Sequence, residues 1–267
     1  YYFRNPMGKL QKILDYIVFL KQSNNSHGIH SPFVFNLYNE VLNVKKDYYL
    51  YGPIESLRAS YLSNHTLINM LDLGAGSTLG EAAQRKVSKI AATSLQSPKY
   101  AALLFRLVDY FQPKNIIELG TSLGITTCYL AKAVKNSDII SIEGNPALAE
   151  MAQHGFQKMG IKNITCKSGS FETHFLPTLK KSKQVDFILF DGNHRLAPTL
   201  QYFEEALPFA NENSVFVFDD IYWSEEMKKA WETIKNHPKV TITVDLFEMG
   251  LVFFRTGQTK QHFKLRV

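Results

Sequence analysis

Glu118-Leu119-Gly120-Thr121-Ser122-Leu123-Gly124 follows directly on the apolar run Asn115-Ile116-Ile117. A short β run here breaks into a turn with two glycines, and a helical pattern begins just beyond it. Glycine lets the backbone turn sharply and lets a ligand come close. The first amides of the following helix then face the same space. The spacing is not the G-x-G-x-x-G of dinucleotide folds.

Around this stretch, short β runs alternate with helical patterns from residue 97 onward. Ser97-Pro98 opens a helix with the apolar face Tyr100, Leu104, Leu107, Val108 and Phe111. Further β runs are Ile139–Glu143, Ile164–Cys166, Val185–Phe190 and Val215–Phe218, with helices between them. Ser224 caps a last helix through Trp231. Runs around Val240–Leu246 and Leu251–Phe254 flank Met249-Gly250 as a hairpin, which predicts an antiparallel edge strand. Near-continuous apolar strands separated by helices predict an α/β fold with a parallel sheet covered on both faces.

The first 96 residues read as a helical cap. Leu10, Ile13, Leu14 and Ile17 recur at helical spacing, as do Val34, Leu37, Tyr38 and Val41. Leu79, Ala82, Ala83, Val87, Ile90 and Ala91 predict a further helix. The loop His27-Gly28-Ile29-His30-Ser31-Pro32-Phe33 anchors the cap; its two histidines lack a third nitrogen or sulfur ligand nearby, which speaks against zinc.

In open α/β sheets ligands bind beyond the carboxyl ends of the strands, so the strand-end residues are the candidates. The second strand ends in Glu143, with Gly144 beside it, 25 residues after Glu118. A carboxylate there can accept both hydroxyls of a ribose. The third strand leads into Gly169-Ser170-Phe171, a small turn with a hydroxyl and an aromatic face. Together these suit an adenosine. The rival loop Leu71-Asp72-Leu73-Gly74-Ala75-Gly76-Ser77-Thr78-Leu79-Gly80 lacks an acidic partner, since no Asp or Glu occurs from Ala82 to Val108. It reads as a decoy, or as part of a cap over the site.

Glu118-x-Gly120-x-x-x-Gly124, the strand-end Glu143 and Gly169-Ser170 resemble the class I S-adenosylmethionine-dependent methyltransferases over about residues 97–256. The resemblance implies a Rossmann-like seven-stranded methyltransferase sheet with an antiparallel last strand. It implies Gly120, Thr121, Ser122 and Gly124 under the methionine part of S-adenosylmethionine and Glu143 on its ribose. Glu118 would hold the loop or the cofactor amino group. Ser170 and Phe171 would lie at the adenine edge; many members carry Asp at position 170, and Ser is closer to the catechol O-methyltransferase-like branch.

The fourth strand ends in Asp191-Gly192-Asn193-His194 and the fifth in Asp219-Asp220. Three carboxylates gathered at one sheet edge repel unless a cation sits among them. Oxygen ligands favour a hard ion such as Mg²⁺. The catechol-type enzymes hold Mg²⁺ on an Asp after strand four and an Asp-Asn pair after strand five. The resemblance thus makes Asp191, Asp219 and Asp220 candidate metal ligands, with Asp in place of Asn. His194 stands where those enzymes use Lys as base, and a histidine can take a proton near neutral pH. Tyr222 and Trp223 either wall a substrate or cover the sheet edge.

The chain of 267 residues fits one α/β domain over 97–256, the cap over 1–96 and a basic tail over 257–267. Two cysteines are too few for a disulfide scaffold and point to a reducing, cytoplasmic compartment. No apolar run approaches the roughly 20 residues of a membrane span. The net charge of +6 is uneven: residues 1–100 carry 11 basic and 6 acidic groups, 101–254 carry 15 and 18, and the rest four basic and none acidic. That disfavours nucleic acid on the catalytic domain. The expected function is methylation of a small-molecule hydroxyl, Mg²⁺-assisted, with a homodimer allowed. The rivals are an RNA-modifying methyltransferase, a non-catalytic cofactor binder and a nicotinamide enzyme.

Overall fold

The computed structural model describes residues 8–25, 28–70 and 83–267. They fall into two compact units. One is Lys45–Thr178; the other joins the described part of Arg4–Val44 to Leu179–Val267. The expected cap over 1–96 is therefore divided between the two units.

The second unit begins with α1 (Lys9–Gln22). Ser31 then caps α2 (Pro32–Leu37), its hydroxyl accepting from the Val34 N–H at 3.4 Å, with Pro32 in the first turn. The helix widens into a π-helical turn over Tyr38–Leu42. Val34, Leu37, Tyr38 and Val41 are all buried, as their helical spacing predicts.

The 45–178 unit contains α3 (Tyr51–Leu62), β1 (Leu67–Met70), β2 (Ala83–Lys86), α4 (Val87–Ser94) and α5 (Pro98–Phe111). It continues with β3 (Asn115–Leu119), α6 (Ile125–Ala133), β4 (Asp138–Glu143), α7 (Pro146–Lys158), β5 (Ile164–Ser168) and α8 (Phe171–Ser182), whose last residues pass into the other unit. β3, β4 and β5 run parallel, with Glu118 opposite Ser141 and Glu143 opposite Ser168. Tyr51, Ile54, Tyr61, Ile90, Phe105, Tyr129 and Phe156 pack in one core cluster of this unit. The helix expected from Leu79 is corrected: Ala83–Lys86 is extended and pairs antiparallel with β1, and the helix starts at Val87. The amides of Val87 and Ser88 donate to Thr66 and Asn64, so long-range pairing overrides helical spacing. The glycine loop Gly74–Gly80 lies outside the described residues, as does His27.

The 179–267 segment supplies β6 (Phe187–Phe190), α9 (Leu196–Ala206), β7 (Val215–Asp219), α10 (Glu225–Asn236), β8 (Ile242–Asp245), β9 (Met249–Phe253) and β10 (Gln261–Lys264). β6 and β7 are parallel, β9 is antiparallel to both β7 and β8, and β10 lies parallel to β8. The antiparallel strand is thus interior to this part of the sheet rather than at its edge. The reversal is not at Met249-Gly250, which lies within β9. It falls at Leu246-Phe247-Glu248, with Phe247 left-handed at φ 72° and its N–H on Asp245 Oδ1 at 2.9 Å. Gly250 is small for another reason: a Cβ there would meet the Trp231 ring at 2.5 Å.

Parallel strands with one antiparallel strand and flanking helices make the expected Rossmann-like methyltransferase architecture. Among the described residues the 45–178 unit holds three strands of this kind and the other unit five, one more in all than expected. The extra strand is β10, which the basic tail supplies.

Candidate functional site

The 45–178 unit presents the ends of β3, β4 and β5. Glu118 is fully buried at the end of β3. Its Oε2 accepts from the Thr127 hydroxyl at 2.5 Å and from the Ser141 hydroxyl, which in turn meets the Thr121 hydroxyl at 2.5 Å. Its Oε1 has no partner among the described residues. Burial pushes this carboxyl up to about 7, against the lowering effect of the two hydroxyls.

Glu143 is 6% exposed. Its Oε2 accepts from the Ser122 N–H at 2.7 Å and its Oε1 from the Asn145 N–H at 2.9 Å. Burial raises its pKa and those two amides lower it. Glu143 therefore clamps the glycine turn onto the start of α7. Ser122 is held left-handed at φ 49°, a conformation that costs roughly 1–3 kcal/mol and persists where surroundings enforce it. Its hydroxyl, also buried, has no partner among the described residues.

Gly120 donates its N–H to Ile142 O at 3.0 Å, and Thr121 is 2% exposed. Gly124 starts α6 at φ 77°, with the Phe156 ring 2.6 Å from where a Cβ would stand. No other residue fits that point. Gly144 is half-buried just past β4. Gly169, at φ 148°, donates to Glu143 O at 2.9 Å. Ser170 accepts from the Thr173 N–H at 3.3 Å and so caps α8, which Phe171 opens half-buried.

The other unit presents the ends of β6 and β7. The Asp191 and His194 side chains are 17% and 15% exposed, and Nε2 of His194 stands 3.8 Å from Asp191 Oδ1, too long for a hydrogen bond. Burial pushes the His194 pKa down, and the Asp220 charge partly offsets this, so the ring is neutral at pH 7. Asp219 is buried, with the Asp191 side chain among its neighbours. Burial, then the charges of Asp220 and Glu248, raise its carboxyl well above the usual range. Among the described residues no group of three His, Cys, Asp or Glu is arranged to hold a metal ion. The expected Mg²⁺ set of Asp191, Asp219 and Asp220 is not gathered into such a group.

One residue, Asn145, escaped the sequence reading. Asn145 caps α7 through Oδ1 and donates from Nδ2 to Asn69 O at 3.2 Å on β1. Asn193 and Asp220 are left-handed at φ 59° and 54°, so strand ends in both units carry this strain. An Asn before Pro, as at 145, is the one sequence signal that could have been read. Tyr222, by contrast, is structural: its hydroxyl donates to Asp245 Oδ2 at 2.8 Å and its ring stacks on Phe247. His30 is exposed, and the loop's anchor is Phe33, edge-on to Phe253.

Residues 117–221 match the family described as a methyltransferase domain. A catechol O-methyltransferase from Niastella koreensis is 29% identical over 153 residues, 56% of this chain and 65% of the relative. A protein-L-isoaspartate O-methyltransferase from Pyrococcus horikoshii is 30% identical over 87 residues, 33% of this chain and 39% of the relative. The chain thus spans less than two thirds of either curated relative. The O-methyltransferase from Bacillus cereus in complex with SAH aligns at a TM-score of 0.54 and 16% identity, over 88% of this chain and 99% of that one. At that identity the likeness speaks for the fold. These matches agree with the resemblance to class I S-adenosylmethionine-dependent methyltransferases, with residues 117–221 matching a methyltransferase domain.

The buried, unpartnered Glu118 Oε1 and Ser122 Oγ test the fit of the cofactor. They match a ligand end that carries both a cationic donor and an acceptor, which is the methionine end of S-adenosylmethionine. On that test the residues present fit the group.

Proposed function

We propose that this protein is a cytoplasmic S-adenosylmethionine-dependent methyltransferase acting on a small-molecule hydroxyl. The observation that carries the reading is the glycine turn with two buried carboxylates beneath it, one clamped by amides and one with an oxygen left over. Glu118 and Ser122 take the amino-acid end of the cofactor, Glu143 its ribose, and Gly169, Ser170 and Phe171 its adenine edge. When bound, the cofactor supplies an electrophilic methyl group on a sulfonium.

The chain's own chemistry is proton management. A neutral hydroxyl is a weak nucleophile, and a base that removes its proton speeds transfer by roughly 10²–10⁴. His194 is kept uncharged by burial and takes that proton at Nε2. The negative charge of Asp220, with Asp191 nearby, steadies the imidazolium that forms. No metal step belongs to this reading. Cysteine chemistry of the kind that attacks pyrimidines is also disfavoured, since burial pushes Cys166 to about 11 and Cys128 to about 12.

The test is cofactor turnover by the whole chain on a panel of phenols, catechols and sugars. Turnover on a hydroxyl acceptor, falling in His194→Ala without loss of cofactor affinity, supports the reading. Tight cofactor binding with no turnover would make it a non-catalytic binder. Salt-sensitive methylation of RNA would move it to the nucleic-acid class.

A further inference from the structure

α1 shows its aliphatic side to solvent. Leu10, Ile13, Leu14 and Ile17, with Val18 beside them, form one stripe whose members are 43–71% exposed. The opposite side seats the helix on its unit. Phe19, 3% exposed, packs against Phe247 with ring centroids 5.5 Å apart. Lys12 pairs with Glu248 at 3.1 Å, and Asp15 with Lys228 at 2.9 Å. A surface helix ordinarily buries its aliphatic stripe and wets its charges. Here ion pairs and rings hold the helix down and the stripe is left outward, and a contiguous apolar patch of this kind marks a contact surface.

The charge at the end of the stripe has one sign. Lys21, exposed, continues the stripe seven residues after Leu14 and four after Ile17. Lys264 reaches Gln22 Oε1 at 2.7 Å, and its carbonyl accepts from the Asn24 N–H at 2.8 Å. Arg266 follows, exposed, beyond the buried Leu265. So β10 brings the basic tail to the C-terminal end of α1, while Asp15 and Glu248 are engaged on the seated side. A single convex helix offers no groove to enclose the side chains of a partner protein; lipid moulds itself to such a shape.

We propose that α1 is an interfacial helix that lays its stripe into the surface of an anionic bilayer, with Lys21, Lys264 and Arg266 against the headgroups. The inference does not depend on the catalytic reading. The test is co-sedimentation of the full chain with vesicles of phosphatidylcholine alone, or of phosphatidylcholine mixed with phosphatidylglycerol. The chain should sediment with the mixed vesicles, not the neutral ones, and be released near 1 M NaCl, where the Debye length is about 3 Å. The variant Leu10→Gln, Ile13→Gln, Leu14→Gln, Ile17→Gln should lose binding with an unchanged melting temperature, because its positions are already in water. As a second variant, Lys21→Glu with Arg266→Glu should weaken binding by about 25-fold or more, at about fivefold per basic charge removed. Failure to sediment with either vesicle, or undiminished sedimentation of the Gln variant, would overturn the proposal. So would a lipid-independent dimer that the Gln variant dissolves, which would make the stripe a contact between copies.

Discussion

The two units solve the same problem at their strand ends in opposite ways. In the 45–178 unit, Glu118 and Glu143 are buried among donors: hydroxyls of Thr127 and Ser141 for one, amides of Ser122 and Asn145 for the other. In the 179–267 segment, Asp219 is buried among acids: Asp191, Asp220 and Glu248. Donors around a carboxylate oppose the upward push of burial and fix a loop. Acids around a carboxylate add to that push and favour its protonated form. One strand-end set is therefore shaped to hold a ligand and the other to manage a proton.

The largest expected effect tests the proton side. His194→Ala should slow methyl transfer by roughly 10²–10⁴ with the cofactor Kd unchanged in calorimetry. Because burial lowers the His194 pKa, the wild-type rate should rise with pH through a midpoint below 6.5 and stay flat across neutrality. A midpoint above 6.5 would remove His194 as the base. On the ligand side, Glu143→Ala should abolish measurable cofactor binding. It should also cost roughly 3–5 kcal/mol of stability in urea titrations, as two buried amides lose a charged acceptor.

Gly124→Ala should cost roughly 3–4 kcal/mol, from the left-handed backbone and the Phe156 ring together. Equilibrium denaturation checks it, and a neutral result would mean the turn is not tightly packed. Glu118→Gln probes a pH slope. With its folded pKa raised from 4.5 to about 7, Glu118 binds more protons folded than unfolded between those values. Stability should therefore fall as pH rises from 4.5 to 7, by on the order of 3 kcal/mol, and the variant should flatten that fall. The smallest expectation is none at all: EDTA should leave the turnover rate unchanged, and a loss that Mg²⁺ restores would reinstate the metal on Asp191, Asp219 and Asp220.

Most strands were legible because buried parallel strands announce themselves as apolar runs, as in Ile139–Glu143 and Val215–Phe218. Glu118 and Glu143 were legible because an acid at the end of an apolar strand needs a reason to be there. β2 was hidden: Ala83-Gln84-Arg85-Lys86 has no strand periodicity, and only its pairing with Leu67–Met70 makes it extended. Gly250 misled in the other direction, since a glycine beside Met249 reads as a turn while its cause, the Trp231 ring, comes from a helix about 20 residues earlier. The burial of Asp219 among other acids was out of reach too, because spacing places acids at one edge without saying which will be buried.

The seating of α1 has a consequence for synthesis. Its partner Lys228 is 213 residues further along the chain than Asp15. At a translation rate of about 5–20 residues per second, α1 waits about 10–40 s for that partner to be made. The 45–178 unit, whose parts are contiguous, can fold during that interval. A nascent chain is thus born with its amphipathic helix unsatisfied on both sides, and whatever meets it on the ribosome, chaperone or lipid, meets it before the rest of its unit exists.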